Sequence, residues 1–253
     1  MNREPTTPAN IYETEALLQQ YLLFHYGTAE DQLPYWFGPH EALFYPVRCV
    51  SEFLPRLGSV SRALDLGCAV GRASFELSRW ADSVVGIDLS QRFIEAAELI
   101  QQTGRIDIRI LEEGSRFSSV TRYLDKELKR FRCRFQATDA LSLSPDFGNF
   151  DLVLAANLLD RVPDPVRLLA ELKRLVAPGG YVILASPYTW LEEFTSRRKW
   201  LSSPDQPTLN MIQSYLEPEL TLVETKDLSF LIREHARKFQ WSVAQVSVWK
   251  RGM

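Results

Sequence analysis

The chain has 253 residues, of which 45% are hydrophobic and 24% charged, the composition of an ordinary folded domain. Lys and Arg total 29 against 32 Asp and Glu, and the formal net charge of −3 argues against broad electrostatic capture of nucleic acid. Two basic clusters occur, at 126–134 and 197–199. The first alternates with apolar residues and predicts a solvated helix that leads into a strand.

The cysteines and the absence of targeting signals in the sequence narrow the class of protein further. Cys49, Cys68 and Cys133 are far apart and form neither a CxxC motif nor a metal-ligand pattern, so we expect no disulfide framework and no metal site. No apolar run reaches the length of a membrane span, and the start of the chain (MNREPTTPANIYETE) is polar and acidic rather than a secretory signal. We therefore expect a cytoplasmic protein with no membrane and no nucleic-acid partner.

The first part of the chain predicts helices. Residues 1–10 are expected to be a frayed tail. Residues 13–26 space their apolar side chains as a helix does, and the aromatic-rich stretch 34–45 leads into a second helix through about Leu57. We expect residues 1–58 to form an N-terminal helical cap.

From residue 59 onward, strands and helices alternate. Three helices are predicted, at 72–79, at 90–102 with Ser90 as N-cap, and at 165–176. Such alternation with nearly continuous apolar strands is typical of a parallel sheet that is covered on both faces. The predicted strands of this part are 62–66, 83–88, 133–138, 150–155 and 181–186.

Two stretches exceed this minimal pattern. Residues 105–131 stand where a short connection would suffice, and predict an inserted hairpin or a strand plus a helix. After the fifth strand, 187–210 predict a lid-like segment, and 228–233 and 241–250 predict an antiparallel end to the sheet. The predicted fold class is α/β, a doubly wound, Rossmann-like, mostly parallel seven-stranded sheet with an antiparallel C-terminal edge, formed by 59–253 under the helical cap.

A glycine-containing turn follows the first strand. In its sequence, ALDLGCAVG, Asp65, Gly67 and Gly71 give a D-x-G-x-x-x-G spacing rather than the G-x-G-x-x-G of dinucleotide binders. An acid before the first glycine can meet an ammonium rather than a pyrophosphate. Asp88 closes the second strand, where a carboxylate can accept both hydroxyls of a ribose. Asp139, after the third strand, is placed to accept from an adenine amino group.

These residues resemble the class I S-adenosylmethionine (SAM)-dependent methyltransferases, over roughly residues 60–190. The resemblance implies SAM as the cofactor, S-adenosylhomocysteine as its product, and no metal. The stretch VAPGG before the fifth strand matches the usual turn of that family. The cofactor-binding residues implied by the resemblance are Asp65, Gly67, Cys68, Gly71, Asp88, Leu89, Asp139, Ala140, Asn157 and Leu158.

The resemblance also implies what each part of this set contacts. Asp88 would hold the ribose with Leu89 beside the adenine, and Asp139 with the following alanine would hold the adenine edge. The glycine turn would border the methionine part of the cofactor. Asn157 and Leu158, just past the fourth strand, would lie under the methionine and near the reacting methyl.

Further segments resemble the methyltransferase of ovothiol biosynthesis. That family, as a separate protein or as the C-terminal domain of a sulfoxide synthase, methylates a ring nitrogen of 5-thiohistidine (4-mercaptohistidine) to form ovothiol A. The chain has no room for a sulfoxide-synthase module, so we expect it to act on thiohistidine supplied by a separate sulfoxide synthase. The segments that carry the resemblance are 11–14 (IYET), 21–27 (YLLFHYG), 44–49 (FYPVRC), 157–162 (NLLDRV) and 186–190 (SPYTW).

Thiohistidine offers a carboxylate, an ammonium, a planar ring and a thiolate. Arg48 or Arg161 can pair with the carboxylate, Asp160 can meet the ammonium, and His25 or a tyrosine hydroxyl can bond the ring nitrogen that does not attack. The catalytic candidates are Asn157, His25 and Tyr45. The substrate-binding candidates are Tyr12, Tyr26, Arg48, Asp160, Arg161, Tyr188 and Trp190.

Structural interpretations of these residues stay open. His25 lies on an apolar-rich helix and can be a satisfied structural histidine, and Phe24 beside it is expected in the core. Arg161 can simply pair with Asp160 or Asp164 on a loop.

Three other functions are also open from the sequence. One is a methyltransferase for another small acceptor, with a carboxylate, amine or hydroxyl. A second is a module that binds SAM without turnover. The third, a nicotinamide oxidoreductase, is disfavoured by the glycine spacing and by Asp139.

Overall fold

The structure, a computed structural model, describes residues 12–253, so the frayed tail predicted at 1–10 lies outside the described residues. Seven strands form the main sheet, and two more form a separate hairpin of β3 and β4. The strands are β1 Val60–Leu66, β2 Ala81–Asp88, β3 Arg105–Glu113, β4 Arg116–Tyr123, β5 Cys133–Ala137, β6 Phe150–Ala156, β7 Val176–Ser186, β8 Leu220–His235 and β9 Lys238–Arg251.

The main sheet has the order β5-β2-β1-β6-β7-β9-β8. Its pairs from β5 to β7 are parallel, whereas β9 pairs antiparallel with both β7 and β8. This confirms the predicted doubly wound, mostly parallel seven-stranded sheet with an antiparallel C-terminal edge. The connections from β1 lead to one half of the sheet and those from β6 to the other, so the strand order reverses between these two strands.

Helices cover both faces of this sheet. Because successive side chains of a strand point to opposite faces, Ala63 of β1 joins one core cluster and Leu64 joins the other. The first cluster includes residues of α1, α3, α5 and α6 as numbered below, and the second those of α7 and α8. The helices are α1 Glu15–Tyr26, α2 Ala29–Gln32, α3 Tyr45–Ser51, α4 Leu54–Leu57, α5 Arg72–Leu77, α6 Gln91–Thr103, α7 Pro165–Leu175 and α8 Thr208–Leu216.

Capping residues fix the helix ends where the sequence predicts them. The Ser90 side chain accepts a 3.1 Å hydrogen bond from the backbone N–H of Phe93 at the start of α6. That helix ends at Gly104, whose φ of 68° is favourable only for residues without a Cβ atom. Asp164 caps α7 in the same way, by accepting from the N–H of Arg167. The predicted Ser90 cap is therefore confirmed.

One helix expected to run through about Leu57 is interrupted. The structure has two short helices, α3 and α4, separated at Glu52 and Phe53. Pro55 has no N–H to donate to the carbonyl of Ser51, four residues before it, and its ring would clash with that carbonyl, so one helix cannot continue across this point. The prediction of one continuous helix is wrong for this reason.

The insertion at 105–131 contains the hairpin, one of the two structures predicted for it. The solvated helix predicted from the basic cluster is wrong: this stretch forms turns, with a 3-10 turn at Arg130–Arg132. The side chain of Asp125 accepts from the N–H of Glu127, and Ser78 accepts from the N–H of Lys129. These bonds satisfy backbone groups that a helix would have used itself.

The C-terminal part holds one element that the sequence analysis missed. Helix α8 begins inside the segment 187–210 that was predicted to be lid-like, and its residues Ile212 and Leu216, one turn apart, are fully buried. The two strands predicted at the end are longer than expected, because polar residues continue each strand beyond its apolar centre. Among the described residues, no helix is both long enough and apolar enough to cross a membrane.

Candidate functional site

A cavity lies at the carboxyl ends of the parallel strands, where the strand order reverses. In open α/β sheets, ligands bind at this position. The cavity is lined by the ends of β1, β2 and β6, by the turns that follow β1 and β5, and by α1, α3 and α6. It therefore brings together residues of the glycine turn and residues of the N-terminal helices.

The turn after β1 has an unusual backbone. Gly67, Ala69 and Gly71 have φ values of 75°, 47° and 84°, which favour glycine and strain the alanine. A Cβ atom on Gly67 would lie 3.1 Å from the Cδ1 atom of Leu158. Gly67 lines the cavity with Cys68, which is buried, whereas Gly71 lies behind it, packed against Phe135. The structure thus gives Gly71 a role in helix packing rather than a place on the cavity wall.

Asp88, the last residue of β2, holds this turn in place. One oxygen of its carboxylate accepts from the N–H of Ala69 and the other from the N–H of Ser90, each at 2.9 Å. Burial raises the pKa of Asp88 to about 6, although these backbone hydrogen bonds lower it. Each carboxylate oxygen can accept a second hydrogen bond, so the group can still bind a ligand. The neighbouring Leu89 is exposed and also lines the cavity.

A second carboxylate lies deeper, on β1. Asp65 is 2% exposed and accepts a 2.6 Å hydrogen bond from the hydroxyl of Ser74. Burial raises its pKa to about 7, against the Ser74 hydrogen bond, and the charge of Asp88 raises it further. Near neutral pH, Asp65 is therefore only partly ionised, and a cation that binds beside it favours the ionised form.

The third carboxylate is the exposed Asp139, in the turn after β5. One of its oxygens accepts from the N–H of Leu141 at 2.8 Å, and the other accepts from the Ser142 hydroxyl at 3.3 Å. Asp139 thus caps its own turn while it lines the cavity together with Ala140. The free lone pairs of its carboxylate remain available to a ligand amino group.

Asn157 follows β6 and bridges the two ends of the cavity. Its φ of 54° lies in the left-handed region, and its N–H donates to the carbonyl of Ala185 at 2.8 Å. The hydroxyl of the buried Tyr45 donates to Oδ1 of Asn157 at 2.8 Å. This bond fixes the amide so that Oδ1 is an acceptor and Nδ2 a donor. Both residues line the cavity, as does Leu158.

The other end of the cavity is aromatic. Tyr21 and Phe93 are in ring contact, with centroids 4.8 Å apart, and Tyr12 contacts Phe93 and Phe194 at 5.9 and 6.2 Å. Phe24, expected in the core, packs there and also lines the cavity. Of these residues, the sequence analysis named only Tyr12 as a site residue.

His25 lies on the same wall. It is 9% exposed, and its Nδ1 atom is buried without a hydrogen-bond partner among the described residues. Burial, with a smaller contribution from the Arg72 cation, lowers the pKa of His25 to about 3, so the ring is neutral. Among residues 12–253 no group satisfies Nδ1, so the structure does not show the satisfied structural histidine that was one interpretation of this residue.

Arg161 is the cation of the cavity. Its Nη1 atom donates to the carboxylate of Asp160 at 2.9 Å and to the carbonyl of Thr189 at 2.8 Å, and its guanidinium lies over the ring of Phe194. Within the part of the chain that the structure describes, every side-chain hydrogen bond of Arg161 is donated by its Nη1 atom. The Nε and Nη2 groups are therefore available to a ligand.

Asp160 itself does not line the cavity. It is fully buried and accepts from the N–H of Thr189, the hydroxyl of Ser186 and Arg161. Burial raises its pKa, while Arg161 and these hydrogen bonds lower it. The proposed contact between Asp160 and a substrate ammonium is replaced by a role in holding two loops and the guanidinium of Arg161.

Four more of the predicted substrate-binding residues lie away from the cavity wall. The guanidinium of Arg48 donates hydrogen bonds to the carboxylate of Glu52 and to the carbonyl groups of Glu41 and Ser229, all within 2.9 Å. It therefore ties the cap to β8 rather than reaching a ligand. Tyr26 donates to the carbonyl of Val70 at 2.6 Å, which fastens α1 to the glycine turn.

The remaining two belong to the opposite face of the sheet. Tyr188 and Trp190 pack against the second core cluster, and the Tyr188 hydroxyl donates to Gln245 at 3.0 Å. The indole N–H of Trp190 is buried without a partner among residues 12–253. Neither of these aromatic side chains lines the cavity.

The charges of the cavity favour a cationic ligand. Asp65, Asp88 and Asp139 contribute three carboxylates, against the one guanidinium of Arg161. These carboxylate acceptors suit hydroxyl, amino, ammonium and sulfonium groups, and they would repel the two phosphates of a dinucleotide. Among the described residues, no group of three or more His, Cys, Asp or Glu side chains is arranged to hold a metal ion.

Comparison with known proteins identifies the family. One family, described as a methyltransferase domain, matches residues 40–245, which is most of the chain. The chain belongs to this methyltransferase family. The predicted class of enzyme is thereby confirmed, and the nicotinamide oxidoreductase is set aside.

Individual relatives are more distant. The ubiquinone biosynthesis O-methyltransferase of Thiobacillus denitrificans is 30% identical over 147 residues, which are 58% of this chain and 52% of the relative. The chain thus spans about half the length of that relative.

Solved structures agree on the fold. The magnesium protoporphyrin IX methyltransferase ChlM from Synechocystis PCC 6803, with bound SAM, has a TM-score of 0.58 at 16% identity and covers 100% of both chains. The N-methyltransferase NodS from Bradyrhizobium japonicum WM9, in complex with S-adenosylhomocysteine, has a TM-score of 0.50 at 20% identity and covers 82% of this chain and 84% of NodS. At these identities the similarity establishes the shared fold.

Proposed function

We propose that the chain is a SAM-dependent N-methyltransferase that methylates an imidazole ring nitrogen of 5-thiohistidine to form ovothiol A. The observation that carries the proposal is a single cavity with two chemically different ends. One end is lined by carboxylates at the strand ends, and the other by aromatic rings, a neutral histidine and one arginine. The second end suits a small, planar, polar acceptor, and the N-terminal resemblance to ovothiol methyltransferases points to the same acceptor class.

The carboxylate end suits SAM by its chemistry. In this proposal, Asp88 accepts from the ribose hydroxyls, Asp139 from the adenine amino group, and Asp65 from the ammonium. The left-handed backbone at Gly67 keeps the turn free of a Cβ atom where the ligand passes. When bound there, SAM supplies an electrophilic methyl group on a sulfonium.

The aromatic end suits the amino acid and its ring. The free Nε and Nη2 groups of Arg161 can pair side-on with the substrate carboxylate. Tyr21, Phe24 and Phe93 offer apolar walls to a planar ring. A neutral imidazole nitrogen already carries the lone pair that attacks, so the chain needs no general base. Its contribution is to orient the ring and to exclude water.

The proposal includes the partners of the chain. The substrate is a small molecule, and neither nucleic acid nor a membrane takes part. A separate sulfoxide synthase would supply the thiohistidine.

Mass spectrometry of the purified protein incubated with SAM tests the proposal. Three acceptors are compared in parallel: 5-thiohistidine, histidine, and a catechol of the kind that an O-methyltransferase would use. A single added methyl on thiohistidine alone supports the proposal. Methylation of the catechol alone would move the chain to a hydroxyl acceptor, and bound SAM without any product would leave a module that binds SAM without turnover.

Replacing Arg161 with lysine tests the acceptor end. Lysine keeps the charge beside the buried Asp160 but loses the planar pair of N–H groups, so we expect KM for thiohistidine to rise about tenfold while the Kd for SAM changes less than about twofold. Steady-state kinetics and calorimetry measure the two effects. Arg167→Lys, on the exposed face of α7, is the matched control. An equal loss of SAM affinity would make Arg161 a structural residue only.

A further inference from the structure

Phe194 belongs to the aromatic end of the cavity, although the sequence analysis did not name it. It lies in a turn of the segment between β7 and α8, and it lines the cavity together with Tyr12 and Arg161. Its ring contacts that of Tyr12, with centroids 6.2 Å apart, and the guanidinium of Arg161 lies over it. Phe194 therefore joins the aromatic wall to the cation of the cavity.

Hydrogen bonds fix the turn that carries Phe194. The hydroxyl of the fully buried Thr195 donates to the carbonyl of Val162 at 2.6 Å, and the indole N–H of Trp200 donates to the carbonyl of Thr195 at 2.8 Å. Val162 follows Arg161 directly in the chain. The ring of Phe194 and the guanidinium of Arg161 are thus carried by two loops that are bound to each other, so the protein itself sets their relative position.

The guanidinium of Arg161 is held by three groups. Its Nη1 atom donates to Asp160 at 2.9 Å and to the carbonyl of Thr189 at 2.8 Å, and its Cζ atom lies 5.1 Å from the centroid of the Phe194 ring. A cation within about 6 Å of an aromatic centroid is attracted by the negative face of the ring. The ring also keeps water from one face of the guanidinium, which strengthens the attraction of an anion. A guanidinium held in this way loses little freedom when it binds a ligand.

The charges of the cavity make this cation decisive for an anionic ligand group. Arg161 is the one Lys or Arg among the described residues that line the cavity. The three carboxylates of the other end repel an anion. A carboxylate of the acceptor is therefore attracted to Arg161, and its affinity depends on how well the guanidinium is ordered.

We propose that Phe194 is a positioning residue that makes the enzyme select acceptors with a carboxylate. Its ring holds the guanidinium of Arg161 in place for the carboxylate of 5-thiohistidine, so that this amino acid is preferred over the same mercaptoimidazole ring without the amino-acid part. This rests on the proposed function, in which Arg161 binds the substrate carboxylate. Phe194 acts through Arg161 and takes no part in the bonds that form and break, so it changes KM rather than kcat.

A packing role for the same ring would give a different result. If Phe194 supplied only an apolar wall, its loss would weaken the binding of every acceptor with this ring, whether or not it carries a carboxylate. A residue that acts through Arg161 affects the acceptor with the carboxylate and leaves the other unchanged. The ratio of the two affinities therefore separates positioning of the cation from packing.

The test compares Phe194→Leu, which stays apolar but has no aromatic face, with Phe194→Tyr, which keeps the face. KM is measured for 5-thiohistidine, and the mercaptoimidazole is measured as a competitive inhibitor, so that its binding is known whether or not it is methylated. For Phe194→Leu we expect KM to rise about five- to tenfold, while Ki for the mercaptoimidazole and the calorimetric Kd for SAM change less than about twofold. Phe194→Tyr should stay within about twofold of the wild type in all three values. Phe117→Leu is the matched control, because it removes a pair with Arg109, at 4.6 Å, of which neither residue lines the cavity.

Three results would overturn this inference alone: an unchanged KM in Phe194→Leu, an equal loss for both ligands, or a loss in Phe194→Tyr as large as that in Phe194→Leu. If Phe194→Leu does not bind SAM, pentafluorophenylalanine at position 194 decides, because it keeps the shape of the ring but removes the negative charge of its face. The same selective rise in KM then supports the proposal, and a wild-type KM counts against it. A wild type that does not methylate 5-thiohistidine would overturn the proposed function and this inference with it.

Discussion

Replacing Asp88 with alanine is expected to weaken SAM binding about 100-fold, because two hydrogen bonds from ribose hydroxyls to a carboxylate are lost. The structure places both oxygens of Asp88 at the end of β2, each with one backbone N–H already bound and room for one further donor. The change also frees the N–H groups of Ala69 and Ser90, so the glycine turn will loosen. The sheet itself does not depend on this side chain and stays folded.

Calorimetric Kd values for SAM, with circular dichroism as the check on folding, measure this effect. Asp88→Asn keeps an acceptor oxygen and is expected to lose about tenfold, which separates hydrogen bonding from charge. Asp82→Ala is the matched control, since it lies near the other end of the same strand, is exposed, and pairs only weakly with Arg132 at 3.7 Å. A Kd for Asp88→Ala within twofold of the wild type would remove Asp88 from the cofactor site.

The carboxylate end of the cavity was predictable because local sequence encodes it. Each of its residues follows an apolar strand, and the carboxyl ends of parallel strands meet at one edge of a sheet. Once the alternation of strands and helices is recognised, Asp65, Asp88 and Asp139 must lie near one another. Gly71 is the exception: the same pattern that marks it cannot tell a glycine that contacts a ligand from one that packs against Phe135.

The aromatic end was only partly predictable, because it is assembled from distant segments. Tyr21, Phe24 and His25 share one face of α1 at helical spacing, and this signal was present in the sequence. Phe93 and Phe194 join them only through the tertiary fold. Arg48, beside the aromatic residues of α3 in sequence, is captured instead by Glu52 and two carbonyl groups, one of them from β8. No short-range pattern reports that partner.

The inserted hairpin shows the same limit. Its strands were one of two expected structures, but its attachment to the cap and to β8 was not foreseeable. Arg122 of β4 binds the carboxylate of Asp31 through two nitrogens, each at 2.6 Å, and Arg233 of β8 binds Glu112 of β3. These pairs join residues some hundred positions apart, and the sequence offers several equivalent charges for each of them.

Replacing Asp65 with asparagine is expected to stabilise the protein without ligand at pH 8 and at the same time to weaken SAM binding. The folded-state pKa of Asp65 is about 7, above its ordinary value of 3.8, because the carboxyl is buried. A raised pKa gives stability that is fully present below pH 3.8 and is lost as the pH rises through about 7. Asparagine resembles the protonated form and can still accept the Ser74 hydrogen bond, so it avoids this loss. We expect a gain of about 1–3 kcal/mol at pH 8, or a few degrees in Tm, and a distinctly smaller gain at pH 5, where only part of this loss has occurred.

SAM binding should respond in the opposite direction, because its ammonium prefers the ionised carboxylate. Wild-type affinity should rise roughly fourfold between pH 6.5 and 8, whereas Asp65→Asn should show little change in that window and bind about 10- to 100-fold more weakly at pH 8. The smaller change in SAM affinity that follows from ionisation of Asp88, with a pKa of about 6, lies mostly below this pH range. Calorimetry and thermal unfolding across the pH series measure both effects, with the exposed Asp146→Asn as the control. A variant that is less stable at pH 8, or one that keeps the wild-type pH dependence of SAM binding, would contradict an ionisable Asp65 beside the ammonium. Opposite changes in stability and affinity would mean that the buried carboxylate is kept for binding, at the expense of the stability of the free protein.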